Sequence, residues 1–254
     1  MNGSFDTWRT PPAKFRANFE HVDLWRVNLK LPEAGRRQSL RDTLSEDENA
    51  RADRFHFQAH RDNFLVGHAA LREILSNYLS LAAKDITFRN NKYGKPEIDK
   101  RLNPNNLQFN LSHSADWALI AVTIGRRVGV DVEHIRPDVE CLSLAQSYFS
   151  RSEYQSLLLL DEQACRRAFF ACWTRKEAFI KAIGEGLSFP LADFSVNTSP
   201  DDLPAMEIIE NSAYSISDWT FATCSPSKEY FGTVVYEKTP CSVNCWNWDF
   251  EKNR

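Results

Sequence analysis

Gly125-Arg126-Arg127-Val128-Gly129-Val130-Asp131-Val132-Glu133 is the stretch from which the rest of the chain can be read. Gly-Arg-Arg suits a hairpin turn, and the six residues after it alternate with period two. On a strand, side chains two apart point the same way. Val128, Val130 and Val132 therefore share one face, and Gly129, Asp131 and Glu133 share the other. Two close carboxylates repel each other and raise at least one pKa unless a cation neutralises them. A hard divalent cation answers that need, and magnesium takes one or two protein carboxylates with water and phosphate oxygens. Gly129 is expected to leave backbone room for a ligand. Taken alone, an acidic strand face also describes an edge turned to water.

The pattern changes on either side. Upstream, residues 21–30 alternate as a strand does. Ser45 and Glu48 form a capping box, which opens a helix or helix pair running to about Ser80. Its apolar stripe is Phe64, Leu71, Leu75 and Leu79. Short strands are expected at Asp85–Phe88 and Leu107–Leu111, and a buried one at Trp117–Ile124. Downstream, helices are expected at 141–148 and at 151–160, the second capped by Ser150 and Glu153. A long helix spans 162–183 and stops at Gly184-Glu185-Gly186, where glycine permits a left-handed cap. Strands follow near 193–197, 205–210, 216–223 and 230–237, while 239–254 has no clear pattern.

An echo crosses the chain. Leu79-Ser80 with Asp85-Ile86-Thr87-Phe88 is matched 108 residues later by Leu187-Ser188 with Asp193-Phe194-Ser195-Val196. The order of elements around it repeats as well. The expected fold is therefore α+β, a pseudo-dimer of two similar halves, each a long helix packed on a small, mainly antiparallel sheet. The halves would be residues 1–126 and 127–254, meeting near 125–135, and such a seam is a common place for a ligand.

Composition sets outer limits. The 254 residues are 43% hydrophobic and 26% charged, which suits one large soluble domain or two smaller ones. A net charge of −3 gives no case for nucleic acid binding. Lys and Arg outnumber Asp and Glu by ten to six over 51–101, but are outnumbered nine to four over 197–254. The first region would receive an anion better. The six cysteines include no Cys-x-x-Cys pair and read as reduced, mostly buried thiols. Residues 1–20 carry charges and prolines without an apolar leader segment, and no stretch reaches the length of a membrane span. A cytoplasmic protein is expected.

Several side chains are equipped for chemistry. Phe169, Trp173 and Ile180 form a stripe on the long helix, with Glu177 and Lys181 four apart at its edge. Glu177 can complete a metal site or accept a proton from an attacking hydroxyl. Lys181 can neutralise phosphate. The two also read as an ordinary surface ion pair. Asn110-Leu111-Ser112-His113-Ser114 reads as a polar loop offering hydroxyls, an imidazole and backbone N–H groups to a phosphate, or as a turn satisfying itself. Without a Gly-x-Ser-x-Gly context it does not read as a hydrolase nucleophile. Asn91-Lys92-Tyr93-Gly94-Lys95-Pro96 is a turn whose two lysines suit a nucleotide or plain solvent. His56 and His60 make half a zinc site at most, and Cys241 and Cys245 read as structural.

Four blocks occur in order: Tyr93-Gly94-Lys95-Pro96, Phe109-Asn110-Leu111-Ser112-His113-Ser114, Gly129-Val130-Asp131-Val132-Glu133, and Trp173-Thr174-Arg175-Lys176-Glu177-Ala178-Phe179-Ile180-Lys181. Together they resemble the Sfp-like phosphopantetheinyl transferases, from about Arg51 to Val196. The resemblance implies a reaction: the 4′-phosphopantetheine arm of coenzyme A moves to a serine of an apo acyl or peptidyl carrier protein, releasing adenosine 3′,5′-bisphosphate. It implies that Asp131, Glu133 and Glu177 hold Mg2+, that Glu177 is also the base, and that Lys181 assists the leaving phosphate. Ser112 and His113 would meet the pyrophosphate and 3′-phosphate, Lys95 and the turn containing Lys92 the adenine nucleotide, and Arg51 the 3′-phosphate. The N-terminal half would be the nucleotide side, and the C-terminal half the metal and carrier side. An acidic helical carrier would dock near the helices at 141–160, around Leu157 and Leu158, on a monomeric enzyme. The competing readings are a non-catalytic coenzyme A- or carrier-binding module and a metal-dependent phosphodiesterase. The second expects additional His or Asp ligands, which the sequence does not offer.

Overall fold

The computed structural model describes residues 8–12, 18–30, 34–209, 214–237 and 241–251. They fall into two compact units, an N-terminal one of Trp8–Arg89, Pro96–Gly125 and Cys241–Arg254, and a C-terminal one containing Asn90–Lys95 and Arg126–Pro240. A cut at 126/127 misplaces two segments: the 90–95 turn groups with the C-terminal unit and the tail with the N-terminal one.

The N-terminal unit begins with β1 (His21–Asn28), α1 (Arg37–Arg41), α2 (Glu46–Asp53) and α3 (Gln58–Leu79). Then come the short β2 (Phe88–Asn90) and β3 (Pro96–Ile98), and the hairpin of β4 (Leu107–Ser114) and β5 (Trp117–Ile124). β5 lies antiparallel between β1 and β4. One core joins Phe64, Leu71 and Leu75 of α3 to Trp25 and Val27 of β1 and Ile120 and Val122 of β5. The stripe read from the sequence is therefore the buried face, apart from the half-exposed Leu79 at its end.

The C-terminal unit opens with β6 (Val128–His134), α4 (Cys141–Tyr148), α5 (Arg151–Leu158) and α6 (Glu162–Ile183). β7 (Phe194–Val196), β8 (Met206–Ile209), β9 (Trp219–Thr223) and β10 (Tyr230–Glu237) follow. Here β10 lies antiparallel between β6 and β9. Phe179, Phe194, Trp219, Phe231 and Val235 pack in one core with α6. Both units are mixed α+β, and no helix among the described residues is long and apolar enough to cross a membrane.

The tail supplies β11 (Ser242–Trp248), which pairs with β1 in parallel and adds a fourth strand to the N-terminal sheet. It covers Asp23, whose carboxylate accepts from Tyr78 Oη, Asn244 Nδ2 and Trp246 Nε1. Two local expectations are corrected. Ala83–Asp85 is a 3-10 turn, and the strand after it starts at Phe88. Ser112 and His113 are strand rather than loop, because β4 continues to Ser114 and the turn falls at Ala115, whose φ is 45°.

Both predicted capping boxes are present, and each carries more than a cap. Glu153 accepts from the Ser150 backbone N–H, from Val196 N and from the ammonium of Lys176, 2.8 Å away. Lys176 is fully buried and also donates to Leu191 O and Phe194 O. In the N-terminal unit Glu48 accepts from Ser45 N and from the buried Arg72, which donates to Ala83 O and Ile86 O. Each unit thus ties a short helix, a long helix and the following turn through one buried cation. Removing one member of such a pair strands the other charge.

Two outcomes follow from this wiring. Lys176→Met should cost roughly 3–5 kcal/mol in urea unfolding because Glu153 is left uncompensated. Adding Glu153→Gln to that variant should recover part of the loss. In the N-terminal unit, burial pushes the Glu48 carboxyl up, but hydrogen bonds from His68 and Ser45 and the charge of Arg72 outweigh it and hold it at about 2, below its ordinary 4.5. A depressed carboxyl stabilises the fold above 4.5, and that contribution is lost as pH falls toward 2. Thermal melts should fall through this window more steeply for the native protein than for Glu48→Gln.

Candidate active site

Helix α6 lies directly on strand β6, and Gly129 is what allows it. A Cβ built there would stand 2.1 Å from Ala178 O and 2.3 Å from Ala182 N. Real side chains do not approach backbone this closely, so no other residue fits without moving the helix. The space expected for a ligand at Gly129 is filled by α6 itself. Ala178 and Ala182, four apart, supply the small side of the contact. One turn earlier Thr174 Oγ1 lies 3.1 Å from Thr233 Oγ1 of β10.

This contact decides where the acidic face points. Gly129, Asp131 and Glu133 share a strand face, and Gly129 meets α6, so the carboxylates are aimed at the helix. Asp131 is buried, and Lys181 Nζ donates to its Oδ1 at 2.5 Å. The half-buried Glu177 joins them electrostatically. Its carboxyl is raised first by burial, then by the charge of Asp131, with a further push from Glu133 and an opposing pull from Lys181. Glu133 also lines a cavity of about 100 Å3 with Arg136, Val139, Leu144, Phe169 and Trp173. The structure thus brings Asp131, Glu133, Glu177 and Lys181 into one electrostatic neighbourhood.

Lys95 has a different place from the one expected. Its ammonium donates to Lys181 O (2.7 Å), Val128 O (2.9 Å) and Ala182 O (3.3 Å). Those carbonyls belong to the last turn of α6 and the first residue of β6. A cation at a helix C-terminus stabilises it by about 0.3–1 kcal/mol. Asn91 Nδ2 donates to Gly184 O, and its Oδ1 accepts from Tyr93 N and Lys95 N. Gly184 adopts φ 73°, the left-handed cap foreseen from the sequence, and a Cβ there would meet Lys95 Cδ at 3.0 Å.

The other residues expected to meet the nucleotide come from both units. Lys92 is exposed, with its ammonium 4.5 Å from the centre of the Tyr93 ring. Arg51, Ser112 and His113 belong to the N-terminal unit. Arg51 is exposed, its guanidinium 5.3 Å from the Phe64 ring. Ser112 is buried on β4 while its neighbour His113 is exposed, as opposite faces of a strand require. His56 and His60 flank the exposed Phe57 ring edge-on. All six cysteines are free thiols, five of them buried.

Among the described residues no three His, Cys, Asp or Glu side chains are grouped tightly enough to hold a metal. The donor set nevertheless suits a hard cation. Asp131, Glu133 and Glu177 offer only oxygens, and burial first, then the charges of Asp131 and Glu133, raise the Glu177 carboxyl.

Comparison with known proteins identifies the family. The model of the 4′-phosphopantetheinyl transferase superfamily matches residues 127–234, and that of the N-terminal part of 4′-phosphopantetheinyl transferases matches 32–125. The transferase HetI of Nostoc sp. is 38% identical over 210 residues, 80% of this chain and 88% of the relative. The chain belongs to the 4′-phosphopantetheinyl transferase family. The transferase psf-1 of Bacillus pumilus is 35% identical over 69% of this chain and 73% of its own. Sfp of Bacillus subtilis is 33% identical over 65% and 71%. This protein is accordingly a phosphopantetheinyl transferase, and the ordered blocks of its sequence identified it correctly.

Sequence reading of this transferase missed what lies behind the site. Lys176 and Lys181 look alike in the Trp-Thr-Arg-Lys-Glu block, but the first is a buried ion pair and only the second reaches Asp131. Gly129 makes room for a helix and not for a ligand, and a strand glycine together with two helix alanines four apart is the sequence signal for that contact. Gly129→Ala should destabilise the transferase by about 1–3 kcal/mol through overpacking against helix backbone. It should also lower kcat more than Ala178→Gly does. Denaturant midpoints and transfer rates for the two variants check this.

Proposed function

We propose that this transferase moves the phosphopantetheine arm at the α6–β6 contact, with coenzyme A as donor and a carrier-protein serine as acceptor. The observation that carries the reading is the meeting of Asp131, Glu177 and Lys181 across that contact. The serine Oγ attacks the β-phosphorus of the coenzyme A pyrophosphate. A new P–O bond forms to the serine, and the P–O bond to the adenosine 3′,5′-bisphosphate oxygen breaks. Glu177 takes the hydroxyl proton, directly or through a water, and its desolvated carboxyl is a better acceptor than an exposed one. Lys181 balances charge on the departing phosphate. Mg2+, when held by Asp131, Glu133 and Glu177, would neutralise the pyrophosphate. Arg51, Ser112 and His113 of the N-terminal unit meet the nucleotide, Lys92 of the C-terminal unit adds a cation for it, and the carrier is received by the C-terminal unit.

The test is to incubate the protein with coenzyme A, Mg2+ and an apo carrier, then weigh the carrier. Asp131→Ala and Glu177→Gln should each reduce transfer by at least about 100-fold. Wild-type turnover by Asp131→Ala would remove the site assignment. A protein that binds coenzyme A but never modifies any carrier would favour the non-catalytic module.

The carrier surface is proposed at the end of α5. Leu158 is 51% exposed and Leu159 88%, with Leu160 at 41%. Leu157, expected beside Leu158 in this patch, is fully buried and belongs to the core. An aspartate at 157 would report on folding, so the informative change is Leu159→Asp. It should raise the KM for the carrier about 10-fold and leave that for coenzyme A alone. An unchanged carrier KM would place docking elsewhere.

The pseudo-dimer is also a proposal, and the buried circuits support it. Glu48 and Glu153 are 105 residues apart, Arg72 and Lys176 are 104, and the carbonyl pairs Ala83/Ile86 and Leu191/Phe194 are 108. The strand orders β1-β5-β4 and β6-β10-β9 match. Free thiols suit a reducing, cytoplasmic setting.

A further inference from the structure

Lys95 and Asn91 lie in a turn whose charge suits a nucleotide or solvent and which the family resemblance gives to the nucleotide, yet their side chains address the protein. An ammonium has three N–H donors, and three backbone carbonyls receive that of Lys95: Val128 O, Lys181 O and Ala182 O. Two of these close α6 at the residue that carries the site lysine and its neighbour. The third opens β6, three residues before Asp131. Asn91 fastens the same helix end one step further on, at Gly184 O, and its Oδ1 holds the Lys95 N–H and so fixes the turn. Gly184 leaves just enough room for both, since a Cβ would meet Asn91 Nδ2 at 3.1 Å and Lys95 Cδ at 3.0 Å. We infer that Lys95, held in place by Asn91, is a positioning residue: it clamps the end of α6 to the start of β6 and thereby sets Lys181 against Asp131.

The inference rests on the site reading above, and it gives Lys95 a role distinct from nucleotide binding. A nucleotide contact would act on coenzyme A affinity. A clamp acts on the alignment of Lys181, hence on the transfer step. Lys95→Met should lower kcat about 10-fold or more while the KM for coenzyme A moves by less than about twofold. Calorimetric affinity for coenzyme A should likewise hold. Lys95→Arg, which keeps the charge and can still reach the carbonyls, should recover much of the rate, and Asn91→Ala should show a weaker version of the Lys95→Met effect. In a Lys181→Gln background, read by carrier mass after long incubation, Lys95→Met should add little further loss, because the two changes remove the same alignment.

A raised KM at unchanged kcat would overturn the inference and return Lys95 to the nucleotide. So would a loss that is not recovered by arginine and multiplies fully with Lys181→Gln, the mark of general destabilisation. Wild-type turnover by Lys181→Gln would instead sink the site reading, whatever Lys95 does.

Discussion

The backbone contact between Gly129 and helix α6 is the constraint on which the site depends. A glycine with 2.1 Å between its would-be Cβ and a helix carbonyl lets the strand and helix approach more closely than any other residue would. Everything two and four residues along the same strand face is then delivered to the helix. Asp131 meets Lys181, and the Glu177 carboxyl is raised by burial first, then by Asp131 and Glu133. Had the acidic face turned to water, as the strand pattern alone also allows, the carboxylates would be solvated and their repulsion screened. Burial against α6 makes that repulsion felt, which is the condition under which a cation is wanted.

Holding a like-charged cluster beside a helix requires a rigid frame, and each unit has the same one. The last residue of a capping box, which elsewhere satisfies one N–H, here also neutralises a buried cation from the long helix. That cation in turn fastens the turn beyond the helix. Short helix, long helix and turn are locked through a single charged centre. Such centres are weak evidence for net stability, because desolvation offsets attraction. Their effect is on uniqueness: a helix rotated or shifted by one residue would leave a buried charge unpaired.

Local rules made most of the fold legible. Ser45, Glu48, Ser150 and Glu153 marked their helix starts, Gly184 its helix end, and the apolar run Trp117–Ile124 its strand. What failed was whatever needs a partner distant in sequence. Ser242–Trp248 becomes a strand because the edge of β1 is there to receive it, more than 200 residues away. Ser112 and His113 failed for a nearer reason: their polar side chains suggest a loop, but the hairpin turns only at Ala115 and pairs them with Leu119 and Ala118. The site split the same way. Periodicity placed Asp131 and Glu133 on one face and helix spacing placed Glu177 with Lys181. No local rule said that the two elements touch, and the ordered family blocks supplied that step.

The lysines show the limit of residue type as a guide. Lys176 and Lys181 are five residues apart on one helix, about 140° around its axis. One points into the core, where Glu153 and two carbonyls fix it; the other points across β6 to Asp131. Lys95 is a third lysine at the same helix, and it addresses the carbonyls at the end. All three carry the same charge within one structural neighbourhood, and only their acceptors differ: a buried carboxylate, a carboxylate at the proposed reaction centre, and a helix terminus. Lys181 alone among them pairs with a carboxylate of the acidic strand, which is why the proposed chemistry is placed with it, while the other two bond to carbonyls and a carboxylate that frame the helix.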